Sequence, residues 1–486
     1  MSDDTAVLYQ AIISRDARFD GVFFVGVTST GIYCRPVCSA RKPAARNCRF
    51  FQRAAQAESA GFRPCLICRP ELAPGSAPVD GAGRLARLVV QGLDDGLLDD
   101  GAGLERLATR FGWSSRHLRR VVRQELGVSP MELVLTRRLL LAKQLLTETE
   151  LPVSQVALAS GFSSTRRFND AFVRRYRMPP GRFRTTSGGD SRLPSVLDTL
   201  TLQLAYRPPF NWSALLAFLD ARSTRGVERV EGNGYLRTVS LRGLTGWVAV
   251  RHDARRRSLR VELSRELAPV LPALLARLRQ LFDLDARPDI IRARLGADPR
   301  LAPLMEVDPG LRVPGAFDGF ELAVRAILGQ QVSVAAATTL AGRFAAAFGV
   351  RIETPHEKLE LAMPCAERVG SLDAERIAAL GIVRARAHAI VVLAREVASG
   401  RIGLEPGSPP DETVAALVKL PGIGPWTAQY IAMRALRWPD AFPAGDLIVR
   451  RRLGNVTESR ARELSKAWMP WRAYATLHLW SEGPTA

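Results

Sequence analysis

The 486-residue sequence has no stretch of 18 or more apolar residues free of charge, so no transmembrane helix is expected. Its opening, MSDDTAVLYQ, is acidic and lacks the apolar core of a secretory signal. A cytoplasmic protein, nucleoid-associated and without a membrane partner, is the expectation. Cysteine is scarce, with six in all. Cytosolic thiols stay reduced, which argues against a disulfide scaffold. Lysine is scarce as well. Nearly all of the 68 basic residues are arginine, and against 48 acidic residues they leave a formal charge of +20. A soluble chain this basic points to double-stranded DNA or another nucleic acid as partner.

The few cysteines are crowded. Five of the six lie between positions 34 and 68. Cys34-x3-Cys38 and Cys65-x2-Cys68 make two close pairs, and four thiolates in two pairs suit one tetrahedral zinc ion. The competing reading is incidental buried thiols. Cys48 is the odd one out, a spare ligand by spacing but better read as a partly buried free thiol. Cys365, in MPCAERVG, reads as a core thiol.

Two Pro-, Gly- and Ser-rich stretches, 73–83 and 186–195, read as linkers. They suggest a zinc-binding part at 1–72, a helical part at 84–186, and a large remainder. That remainder divides into a β-rich subdomain at 199–310 and a helical core at 311–484. The expected fold class is multidomain α+β: a small zinc-binding α/β domain, an all-α tandem repeat, then the β-rich subdomain and α-helical core.

The middle part contains an internal repeat. LATRFGWSSRHLRRVVRQELGVSP (107–130) recurs as VALASGFSSTRRFNDAFVRRYRMPP (156–180). Each copy is a short apolar helix, a glycine turn (Gly112, Gly161), a serine cap and a second helix. Ser114 or Ser115 caps one second helix, and Ser163 or Ser164 the other. Those helices carry Arg116, Arg119, Arg120 and Arg123, and Arg166, Arg167, Arg174 and Arg175. This is helix-turn-helix anatomy, in which the second helix enters the major groove. The region resembles the tandem helix-turn-helix domain of AraC-type activators, which implies promoter DNA and RNA polymerase as partners.

FFVGVTSTGIYCRPVCSAR followed by AGFRPCLICRP resembles the N-terminal domain of the Ada family. The resemblance implies zinc held by Cys34, Cys38, Cys65 and Cys68. It also implies methyl transfer from DNA methylphosphotriesters to Cys34, with Thr30, Arg41 and Arg63 contacting DNA. Ser39 stands where that family has a further arginine. The Pro-Cys-His-Arg motif of the family's second methyltransferase is absent.

LPGIGPWTAQYIAMRAL (420–436) opens a helix on Leu-Pro-Gly-x-Gly, a helix-hairpin-helix turn whose glycines let backbone N–H groups approach a phosphate. Asp446, in FPAGDLIVRRRL, reads in isolation as an N-cap before a catalyst. Together with YRPPFNWSALLAFLDARS, FDGFELAVRAILGQQVSVAAATTLAGRF and WRAYATLHLW, these stretches resemble the AlkA family of 3-methyladenine DNA glycosylases over about 201–484. The resemblance implies Asp446 as catalytic carboxylate and Trp426, Tyr430 and Trp480 as a base pocket. It implies DNA contacts by Gln330, Gln331, Gly422, Gly424 and Thr427, with no cofactor for this part. Gln331 stands where that family has a leucine wedge. Trp426 stands where strand-cleaving relatives carry lysine, so a monofunctional enzyme is expected. The alternative is a methylation-responsive regulator whose glycosylase-like part only binds DNA.

Overall fold

The computed structural model describes residues 3–74, 103–110, 113–187 and 199–481. Most of both linker stretches and the turn residue Gly112 lie outside the described residues. The chain forms two compact units. One comprises Met1–Pro208, Asp253–Ala276 and Leu284–Ala286; the other comprises Pro209–His252, Arg277–Asp283 and Arg287–Ala486. No helix among the described residues is long and apolar enough to cross a membrane.

The first unit opens with a small sheet of β1 (Phe24–Val27), β2 (Ile32–Cys34), β3 (Cys48–Phe51) and β4 (Arg63–Pro64), in the order β3-β1-β2-β4. Successive side chains of a strand face opposite ways. Val25 therefore packs with Ala11, Ile12 and Phe23, while Phe24 packs with Tyr33, Ala57 and Phe62. Gly26 must stay small, because a Cβ there would meet Phe51 at 2.8 Å and Phe62 at 2.9 Å. β2 and β4 run parallel, with Tyr33 opposite Pro64.

Among the described residues, six helices follow: Gly103–Arg110, Ser115–Leu126, Pro130–Glu148, Val153–Ala159, Thr165–Tyr176 and Pro180–Ser187. The repeat is real in space. Leu118, Val122 and Leu126 are buried in one copy, and Phe168, Phe172 and Tyr176 in the other. Spacing by four places each trio on one helix face. Of the candidate caps, Ser114 accepts from the His117 N–H and Ser164 from the Arg167 N–H, each at 3.2 Å. Gly161 adopts φ 87°, the turn conformation its position predicts. A two-stranded ladder, Thr199–Ala205 with Ser258–Ser264, completes this unit.

The second unit holds a meander of Glu228–Glu231, Gly234–Leu241 and Leu244–Asp253. Its helical part packs Phe320, Val324, Ile327, Phe344, Ile390, Leu393 and Ile431 into one core. Helices Pro410–Val418 and Pro425–Arg434 form the hairpin. Gly422 turns between them at φ 78°, a conformation that disfavours any side chain.

Candidate functional site

The parallel pairing of β2 and β4 builds the cysteine cluster. Cys34 ends β2, Cys65 follows β4, and the Cys65 N–H donates to the Tyr33 carbonyl at 3.0 Å. A turn closed by Cys38 N–H to the Arg35 carbonyl brings Cys38 back. The Arg35 N–H donates to Cys68 Sγ at 3.3 Å, and its guanidinium donates to the Cys68 carbonyl at 3.0 Å while pairing with Asp20. All four sulfurs lie within 4.8 Å of one another. Tetrahedral zinc with Zn–S bonds of about 2.3 Å needs sulfurs roughly that close. Hydrogen bonding with Cys38, Cys65 and Cys68, and then burial, push the Cys34 thiol far above its ordinary value. Four such thiols ionise together only around a cation, so the donor set fits zinc. Cys48 lies apart, half-buried, its thiol directed to the Ala44 carbonyl. Cys365 is a correction: it is exposed, just before the short helix Ala366–Gly370, and not in the core.

Thr30, Arg41 and Arg63 are all exposed. The Arg63 N–H donates to the Gly31 carbonyl at 2.9 Å, which puts Thr30 and Arg63 on one edge. Arg116, Arg119, Arg166 and Arg167 are exposed on their second helices, as a groove-reading face requires. Arg175 is not. Its guanidinium turns to the buried Glu58 carboxylate at 3.3 Å, so the run of arginines is not uniformly outward.

The second unit encloses a cavity of about 520 Å³ lined by Phe218, Arg222, Trp426, Tyr430, Arg434, Asp446 and Trp480, among others. Trp426 and Tyr430 sit four apart on one helix and stack, with ring centres 5.3 Å apart and planes 7° apart. Trp480 tilts against Tyr430 at 6.3 Å. Asp446 caps a helix and also lines the cavity. Its Oδ1 accepts from the Val449 N–H at 3.0 Å, capping helix Leu447–Arg452. The same carboxylate accepts from Trp426 Nε1 at 2.9 Å and from Trp480 Nε1 at 3.1 Å. The pocket aromatics thus hold the carboxylate by their own N–H groups.

Gly422, Gly424 and Gln331 are exposed at the hairpin side, with Gln331 at φ 54°. Helix Pro425–Arg434 starts with proline at its first turn and Gly424 as a cap that offers no side chain. Its first N–H groups are thereby left for an incoming acceptor. Gln330 and Thr427 are bonded to each other and to the hairpin turn. Gln330 Nε2 donates to the Gly422 carbonyl at 2.8 Å and to Thr427 Oγ1 at 3.1 Å. Thr427 is only 4% exposed.

Sequence reading missed the polar end of the cavity. Arg434 donates to Tyr430 Oη at 2.7 Å and to the Pro314 and Gly315 carbonyls at 2.9 and 3.0 Å. Arg222 lies over the Phe218 ring at 3.8 Å. Burial raises the Tyr430 phenol, but the Arg434 and Arg222 guanidiniums outweigh it and hold it below its ordinary value. The available signal was position. Arg434 follows Tyr430 by one helical turn, and Arg222 follows Phe218 likewise.

Four family models match the chain. They are the metal binding domain of Ada over residues 7–71, a helix-turn-helix domain over 107–186, the AlkA N-terminal domain over 201–318, and the HhH-GPD superfamily base excision DNA repair protein over 324–470. With the cluster and cavity described above, they define a helix-hairpin-helix base-excision repair protein joined to an Ada-type metal module and a DNA-binding helix-turn-helix pair. The chain is 39% identical, over 99% of its length and 97% of the relative's, to the Mycobacterium tuberculosis protein named "Probable bifunctional transcriptional activator/DNA repair enzyme AlkA". It belongs to that family. It is also 36% identical to the Escherichia coli DNA-3-methyladenine glycosylase 2, across 57% of this chain and 95% of that one. Among solved structures, the 3-methyladenine DNA-glycosylase from Archaeoglobus fulgidus aligns at TM-score 0.49 and 23% identity, covering 57% of this chain and 96% of that one.

Proposed function

We propose that this chain repairs alkylated DNA at two centres, and that repair at one of them switches on transcription. At the cavity it excises alkylated bases such as 3-methyladenine by hydrolysis. At the cluster it takes methyl groups from DNA methylphosphotriesters. The observation that carries the first reading is the Asp446 carboxylate inside the aromatic cavity, held by two indole N–H groups.

A flipped base can stack on the Trp426–Tyr430 pair. As the C1′–N bond breaks, positive charge leaves the alkylated base and builds on the sugar. Asp446 stabilises that charge and orients a water whose oxygen bonds to C1′ while its proton passes to the carboxylate and on to solvent. The departing base keeps the bond's electron pair, so guanidiniums at the Tyr430 end do not oppose its release. The cavity offers no lysine at position 426, so no Schiff base forms there and the strand is left intact.

At the cluster, the Cys34 sulfur attacks the phosphotriester methyl. An S–C bond forms, a C–O bond breaks, and the phosphate leaves as a diester anion. Zinc, when bound by Cys34, Cys38, Cys65 and Cys68, supplies the charge that keeps the sulfurs ionised. Methylation removes one negative charge from a surface facing phosphates, and this favours DNA binding. A promoter bound more tightly through Arg116, Arg119, Arg166 and Arg167 would then present the chain to RNA polymerase. The decisive experiment measures base release from methylated DNA by the full chain, with and without Asp446. Undiminished release without that carboxylate would refute the reading and favour a regulator that only binds DNA.

A further inference from the structure

The metal module and the helix-turn-helix pair meet through buried charge. Glu58, on the helix Ala54–Ser59, is 4% exposed. Its carboxylate accepts from Tyr33 Oη at 3.0 Å and from Thr136 Oγ1 at 2.7 Å, and pairs with Arg175 at 3.3 Å. Tyr33 immediately precedes Cys34 on β2. Thr136 belongs to the long helix Pro130–Glu148, and Arg175 to the second helix of the second repeat. A second knot lies beside Cys65. Lys143, 1% exposed, pairs with Glu71 and donates to the Cys65 carbonyl at 3.2 Å. Arg69 joins Glu71 at 3.0 Å to Glu148 at 2.8 Å.

Three carboxylates therefore face three cations, with carboxylate side chains about 1% exposed. Burying ion pairs is costly, and such networks are better at enforcing one geometry than at adding stability. A flexible tether between two independent DNA-binding modules would need none of this. The Cys65 segment is held directly by Lys143 of the helical part, and the Tyr33–Cys34 segment is tied to it through Glu58, which Thr136 and Arg175 grip.

We propose that the cysteine cluster and the second helix-turn-helix form one composite DNA-binding body, with Glu58 and Arg175 as its joint and Arg175 a positioning residue instead of a DNA contact. The joint holds the exposed Thr30–Arg63 edge and the Arg166–Arg167 face at a set spacing on one duplex. The inference rests on the reading that both modules bind DNA. It does not require methyl transfer, so failure of Cys34 alkylation would leave it standing.

The test uses the full zinc-loaded chain, unmethylated mixed-sequence duplex DNA and a metal chelator. Removing one arginine that pairs with a phosphate should flatten the slope of log affinity against log salt by about 0.9. Arg166→Gln and Arg167→Gln are expected to flatten it so, and Arg175→Gln to leave it unchanged. Arg175→Gln should also speed zinc loss to the chelator about tenfold, and Arg175→Lys should restore the wild-type rate. A flattened slope in Arg175→Gln overturns the proposal, as does an unchanged rate of zinc loss. Should Arg175→Gln fail to fold, hydrogen exchange on the wild-type chain decides. Stripping zinc should speed exchange along Thr165–Tyr176, and protection unchanged there would overturn the joint.

Discussion

Asp446→Asn separates a cap from a catalyst only when its hydrogen bonds are counted. As a bare N-cap, asparagine serves about as well as aspartate, and the substitution would be silent. The structure makes it otherwise. Three N–H donors point at this carboxylate: Val449 and Trp480 at Oδ1, and Trp426 at Oδ2. An amide has one acceptor oxygen. Turned to keep the cap and Trp480, it sets its NH2 against the Trp426 N–H, donor facing donor. Leaving a buried donor unmet costs about 1–3 kcal/mol, and at Trp426, which is 36% exposed, water meets part of that loss. The lost charge beside the forming sugar cation costs at least as much as one oxyanion donor, about 2.7–4 kcal/mol, or 10²–10³ in rate. Trp426→Phe separates the two effects by removing the opposed donor while keeping a ring to stack on Tyr430. Single-turnover release of 3-methyladenine from methylated duplex should therefore fall 10²–10³-fold on Asp446→Asn in both the wild-type and Trp426→Phe backgrounds. The stability loss should appear only in the former. DNA binding should change little. Release within about threefold of the parent in both backgrounds would refute the catalytic role.

Metal analysis of the purified chain should find one zinc. Cys38→Ala should lose it and Cys48→Ala retain it; the reverse pattern would break the ligand assignment. Incubation with DNA carrying methylphosphotriesters should place a single methyl on the Cys34 peptide by mass mapping and tighten DNA binding. A methyl found only on Cys48 or the exposed Cys365 would contradict the transfer. Borohydride added during base excision should trap no covalent protein–DNA adduct, because Trp426 offers no amine. Arg434→Met should lift the Tyr430 phenol toward or above its ordinary range, because the guanidinium that depresses it most is gone. An ultraviolet titration that finds the tyrosine unchanged would rule that charge out as the cause.

Much of this molecule was legible in local sequence. Close cysteine pairs, a repeated helix-turn-helix pattern with its serine caps, and a Gly-x-Gly-Pro helix start are all written within a few residues. Each depends on short-range geometry, as Ser114 and Ser164 show by capping the second helices as their spacing predicts. What needed the fold was long-range pairing. The parallel register of β2 with β4 joins the two cysteine pairs, and nothing in their spacing announces a parallel strand. Charge pattern alone could not tell Arg175 from its exposed neighbours Arg166 and Arg167. The carboxylate that turns it inward is Glu58, more than a hundred positions away. Thr427 and Gln330, both expected at the DNA, are bonded to each other, because the turn after helix Gly319–Leu328 lies beside the hairpin. Cys365 looked apolar enough for a core and lies in the open. Asp446 was readable as a cap from its own helix. Only tertiary packing brought Trp426 from twenty residues before it and Trp480 from thirty-four after it to the same carboxylate, since hydrogen-bond partners distant in sequence are chosen by the fold and not by the chain between them.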